Sequence, residues 1–174
     1  MRVEIGISGS IEKIIQSIEA SQAKITRATV RALNKTALWT KEQATKELSK
    51  DTQIKRQLIR KRLWIVRATR NYQRALVRIG LYGVKSSKLG DIKQMAKGAK
   101  AGKHMFEGAF IAKMPTGHRG IFRRRGRTAL PIYEVTVPIG ENVQKIVKEM
   151  ASYKTGKVFE EYFEHELNVL LKKQ

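Results

Sequence analysis

Histidine, arginine and lysine are the side chains through which this chain would do chemistry, and their spacing decides which kind. The three histidines, His104, His118 and His165, include no pair at the spacing of a helical metal motif. His118 stands in a glycine-flanked turn beside Arg119, which suits a charged or water-bonded surface role rather than catalysis. Asp91, Glu107 and Glu134 are too scattered to supply the paired acids of a metal-dependent nuclease. Gly98–His104 (GAKAGKH) approaches a phosphate-binding loop, but its glycine spacing differs and no hydroxyl follows the lysine. With no cysteine, disulfides and thiolate metal sites are excluded. These residues argue against an enzyme, and neither a cofactor nor a metal is expected.

Arginine offers more. Arg119, Arg123, Arg124, Arg125 and Arg127 form the densest charge cluster. On a strand, Arg123 and Arg125 share one face and Arg124 takes the other. Guanidinium groups pair well with phosphate and with carboxylate, so the cluster suits contact with DNA or with an acidic protein surface. Solvation by water in an exposed hairpin is the bland alternative. A second group, Lys55, Arg56, Arg60, Lys61 and Arg62, is expected on the outward face of a short helix whose inward residues are Ile54, Leu58 and Leu63. Trp39, Trp64, Tyr133, Phe159 and Phe163 occupy apolar-face positions, with Trp64 expected in the core. No base-stacking platform is therefore expected, and any DNA contact would be with backbone phosphates, independent of sequence.

The 174 residues carry 36 Lys and Arg against 15 Asp and Glu, a formal net charge of +21. Residues 140–174 balance six lysines with six glutamates, so the whole surplus lies in residues 1–139. From Thr52 to Gly90 there is no acid, while eleven cations fall there. Such a surplus repels itself unless a polyanionic or acidic partner is present. No apolar run approaches the roughly 18–20 residues of a membrane span, and the N-terminus lacks the apolar segment of a secretory signal. The expected product is soluble, made in the cytoplasm, and not bound to membrane.

The elements that must position these cations follow from periodicity. Val3, Ile5 and Ile7 alternate as a half-buried strand. Ser10 then caps a helix whose stripe runs from Ile11 through Ala28, Ala32, Leu33 and Thr36 to about Leu48, with Asp51 or Thr52 capping the short basic helix. A helix of that length exceeds what one small core covers. Ala75, Val77, Ile79 and Leu81 predict a strand with a basic opposite face. Residues 83–104, rich in Gly, Lys and Ser, predict an extended loop or a pair of marginal strands, mobile until a partner orders them. Phe106–Met114 and Ile121–Arg125 predict strands joined by a turn at Pro115–Gly117, and residues 132–139 a further strand near a sheet edge. Val143–Met150 and Val158–Leu171 predict helices. The fold class is α+β: a long N-terminal helix and C-terminal helices packed on a small, mostly antiparallel sheet. Residues 1–139 form the basic domain, and 140–174 a helical segment packed on it or on a neighbouring subunit.

The order ATVRALNKTA (Ala28–Ala37), IKRQLIRKRL (Ile54–Leu63), GAFIAKMPTGHRGIFRRRGR (Gly108–Arg127) and LPIYEVTVPI (Leu130–Ile139) resembles the prophage minor tail protein Z family. The resemblance covers roughly residues 3–150, and its most specific part is the third stretch leading into the fourth. It implies a non-enzymatic structural protein of a phage or prophage tail that completes the head-proximal end or neck, so that the tail joins the head and passes DNA. It implies as partners a tail terminator, tube or connector, and a homo-oligomer such as a ring, located in the virion tail. The family carries no catalytic residues to transfer. The competing class from charge alone is a free, sequence-independent nucleic-acid-binding protein.

Overall fold

Between Gln22 and Thr52 no glycine or proline interrupts the chain, and small residues recur every three or four positions. The computed structural model, which describes residues 2–5 (backbone only), 22–150 and 154–172, shows a single 31-residue helix there, α1 (Gln22–Thr52), about 46 Å long at 1.5 Å per residue. Ser10 and the apolar positions Ile11–Ile18 lie outside the described residues. The buried stripe of α1 is built from Ala28, Ala32, Leu33, Ala37, Ala44 and Leu48, interleaved with Thr29, Thr36, Thr40, Thr45 and Thr52. Each of these threonines returns its hydroxyl to the carbonyl four residues earlier, so none is buried unsatisfied.

Thr52 is therefore the last turn of α1 and does not cap the next helix, nor does Asp51. Gln53, at φ 52°, ends α1 in the left-handed region, and Ser49 Oγ donates to Ile54 O at 2.6 Å. A short helix follows, α2 (Arg56–Arg60), with Lys55 at its N-cap and no side-chain cap. Its buried residue is Ile59, and Leu58 is half-buried.

Among the described residues strand pairing is antiparallel, as expected, but divided among four small sheets. The first has order β1 (Arg2–Ile5), β3 (Ala75–Ile79), β2 (Leu63–Val66), with Trp64 opposite Arg78. Leu63 takes the buried side of β2, so Trp64 points outward and is 46% exposed, contrary to the core position expected of it. Leu81 lies beyond β3 and is exposed.

Of the two alternatives for residues 83–104, the structure takes the strands rather than the extended loop. They hold β4 (Val84–Lys85), a 3-10 turn (Ser86–Lys88), β5 (Ile92–Met95) and β6 (Gly98–Ala101), and β7 (His104–Glu107) completes a three-stranded meander. Its buried side chains are Ala99 and Ala101, too small to register as an apolar period. Gly98 is required: a Cβ there would stand 2.2 Å from the Phe106 carbonyl oxygen, and its φ is 152°.

Phe106–Met114 divides at Gly108 between β7 and β8 (Phe110–Lys113), which belong to different sheets. β8 pairs with β9 (Arg119–Arg124), and β9 with β10 (Ile132–Glu134), giving the order β10-β9-β8. The expected strand at 132–139 also divides, since β11 (Thr136–Val137) pairs with β4 instead. Helix α3 (Gly140–Glu149) buries Val143, Ile146 and Val147. Helix α4 (Thr155–Leu171) lays Phe159, Phe163, Leu167 and Leu170 along the length of α1, where the alanines and threonines leave room. Glu166, its side chain 8% exposed, closes that contact through Arg31 at 3.3 Å and Lys35 at 2.5 Å.

Candidate functional site

Hairpin β8–β9 carries the arginine cluster, and three side chains outside that cluster hold it in place. Met114 N–H donates to His118 O and Gly117 N–H to Met114 O, closing the tip at the expected turn. Gln94 of β5 donates to Gly98 O at 2.8 Å and accepts from Ile111 N–H at 3.0 Å, tying the meander to β8. Ser86 Oγ, fully buried, accepts from Ile121 N–H at 3.1 Å in β9. Glu134 of β10 accepts from Ser87 N–H at 3.1 Å, meets His118 Nε2 at 3.1 Å and lies 3.7 Å from Lys85 Nζ. Burial opposes ionisation of Glu134, yet the Ser87 and His118 contacts outweigh it and hold the carboxyl below its ordinary value. Composition gives no hint of Gln94, Ser86 or the Glu134 lock, because their roles depend on which strands pair.

On this frame Arg119, Arg124, Arg125 and Arg127 are exposed and Arg123 is half-buried. Arg123 Nη2 donates to Glu107 O at 2.6 Å, and the Arg124 guanidinium lies 5.4 Å from the centroid of the Phe110 ring. β9 ends at Arg124, so Arg125 stands just past the strand, its N–H on Pro131 O. Among the described residues, none of the five forms an ion pair with a carboxylate.

The α2 group is less uniform. Lys55, Arg56, Arg60 and Lys61 are exposed, and Arg60 pairs with Glu42 at 3.0 Å. Lys55 lines an open cavity of about 340 Å³ with Asp91, Lys93 and Lys100 of the meander, a basic concavity absent from the sequence reading. Arg62 corrects the expectation of an outward side chain. It is 8% exposed, and its guanidinium donates to Leu58 O at 3.1 Å, Tyr82 O at 3.2 Å and Gly83 O at 3.0 Å while stacking on Tyr82. Its rigid, planar fork of N–H donors lets this one side chain bond three carbonyls while stacking on a ring. It is a structural residue. Arg123 and Arg125 also do not act alone: Tyr133, expected in the core, is exposed opposite Arg123 on the edge strand β10.

Among the described residues no group of three or more His, Asp or Glu is placed to hold a metal, and no helix is long and apolar enough to cross a membrane. His104 is partly buried in β7 with Nε2 unpartnered, and burial lowers its pKa against a backbone contact from Gln53.

Comparison with known proteins gives this surface its context. The family described as Prophage minor tail protein Z (GPZ) matches residues 7–174, reaching through the final helix, beyond the roughly 3–150 covered by the resemblance in sequence. The tail completion protein of Escherichia phage N15 is 29% identical over 151 residues, covering 80% of this chain and 82% of that protein. No solved structure matches the chain. The chain belongs to the prophage minor tail protein Z family, and its role is a structural one in a phage tail.

Proposed function

We propose that this member of the minor tail protein Z family is a non-enzymatic subunit that completes the head-proximal end of the tail, so that the tail joins the head and DNA passes. The observation that carries the reading is the match to a tail completion protein over four fifths of both chains. The structure supports it physically. Five arginines, without carboxylate partners among the described residues, sit on and just past a hairpin locked by Ser86, Gln94 and Glu134, an arrangement suited to a rigid contact rather than to turnover. A surplus of +21 gives the chain a standing attraction for an anionic neighbour in the particle. In this reading the chain is made in the host cytoplasm, assembles with terminator, tube or connector proteins, and forms a ring of identical subunits. Residues 1–139 act with 140–174 packed on them as one unit. Family membership lends nothing to a free nucleic-acid-binding role.

Quantitative mass spectrometry of purified tails tests the proposal. The chain is expected in the tail fraction at a fixed ratio to the tube protein, in a small copy number. Recovery only in the soluble fraction, or at a ratio that varies with nuclease treatment, would overturn it.

A further inference from the structure

We propose that the face running from Arg125 through Leu130 and Pro131 to Tyr133 docks an acidic, extended segment of another tail protein; this rests on the structural tail role above. Leu130 is 70% exposed and Tyr133 47%, large apolar side chains in water beside unpaired arginines. Arg125, Pro131, Ile132 and Tyr133 line an open cavity of about 460 Å³ whose surface is mainly apolar. A monomer gains nothing from such a cavity at its surface, whereas an interface uses it.

The strand beside it is also incomplete. Among the described residues, β10 has a hydrogen-bonded neighbour on one side only. Arg125 N–H donates to Pro131 O and Val135 N–H to Ile121 O, so the Pro131 carbonyl and the Val135 N–H point at β9, with Tyr133 between them opposite Arg123. Alternation then turns the N–H and C=O of Ile132 away from β9, toward whatever lies on the open edge.

An occupant must meet three demands together. It needs anionic groups for Arg125 and Arg127, apolar side chains to cover Leu130 and Tyr133, and extended backbone to meet Ile132. Duplex DNA meets the first alone, because phosphate has no use for Leu130 or a strand edge. A second copy of this chain meets the first poorly, since it carries the same +21 surplus. An acidic, amphipathic strand of a different protein meets all three.

Photocrosslinking in the assembled particle tests the proposal. Tyr133 is replaced by p-benzoylphenylalanine in a chain that complements a phage lacking its own copy, and purified tails are irradiated and digested. The expected product is a crosslink to a segment of another tail protein in which Asp and Glu outnumber Lys and Arg. Leu130→Ser and Arg125→Glu, each introduced separately, are expected to lower its yield about 10-fold. Crosslinks to DNA, to a second copy of this chain or to a segment without acidic excess would overturn the proposal, as would the absence of any crosslink in tails that contain the chain. Tails that lack the chain altogether would overturn the tail role itself, and the docking with it.

Discussion

Arg62 and Arg125 are the same residue type with opposite fates, and the difference lies in what surrounds them. Arg62 is enclosed by three carbonyls and the Tyr82 ring, while Arg125 has a backbone bond and open water. Sequence pattern places both among cations and cannot separate them, since the carbonyls that claim Arg62 include two from Tyr82 and Gly83, twenty residues on. Arg62→Met is expected to destabilise the fold by about 2 kcal/mol, by leaving buried acceptors without a donor, whereas Arg125→Met should leave stability nearly unchanged. Urea midpoints of the two variants check this. Glu134 and Glu166 give a pH signature. For both, burial opposes ionisation, but neighbouring donors and cations win and hold the folded-state pKa below the ordinary 4.5. Their contribution is fully present above that value and is lost as pH falls through the lowered folded values. His104, held by burial below the ordinary 6.5, adds a separate loss that begins as pH falls past 6.5. In urea titrations at stepped pH, Glu134→Gln with Glu166→Gln should flatten the acid decline, and His104→Gln should remove the earlier one.

At the scale of elements, the helices and the strands with alternating apolar residues, such as Ala75–Ile79, are legible in the sequence, and the glycine- and alanine-rich strands of residues 83–104 are the least so. The stripe through Ala28, Ala32 and Leu33 and the heavy positions Phe159, Phe163 and Leu167 read directly as helices, and they prove to face each other. Their fit is large into small. Phe163→Ala is expected to cost about 3–5 kcal/mol by opening a cavity, and Ala32→Leu about 1–3 kcal/mol by overfilling the same seam. The meander was hidden because its buried faces are glycine and alanine, which carry almost no hydropathy signal, and its pairing is set by glycine turns. Gly98→Ala therefore tests whether the meander is needed to hold the hairpin. Its Cβ meets backbone, which cannot move aside as a side chain would. Thermal unfolding should show a loss of about 1–3 kcal/mol, and hydrogen exchange should rise first across β5–β8.

Across the whole molecule, charge and family order pointed to the same class, but by different routes. The surplus in residues 1–139 says only that an anionic partner is wanted, and a free nucleic-acid binder satisfies that as well as a tail subunit does. What separates them is residue order from Gly108 to Ile139, where the arginine hairpin meets the exposed Leu130 and Tyr133. That apolar component was invisible beforehand, because Tyr133 sits at an alternating position and reads as core until the edge of the sheet is known. If the surface serves protein, gel shifts of the isolated chain on arbitrary duplex should be weak at physiological salt. Any residual binding should weaken as salt rises, with a log–log slope of about −0.9 per phosphate contacted.

In the proposed role, the chain completes a tail so that it can join a head. Electron microscopy of lysates from a phage deleted for this gene tests it most directly. Filled heads and tails of normal length should accumulate side by side, unjoined, and resupplying the chain should restore joined, infectious particles. Joined particles in ordinary numbers without the chain would contradict the account.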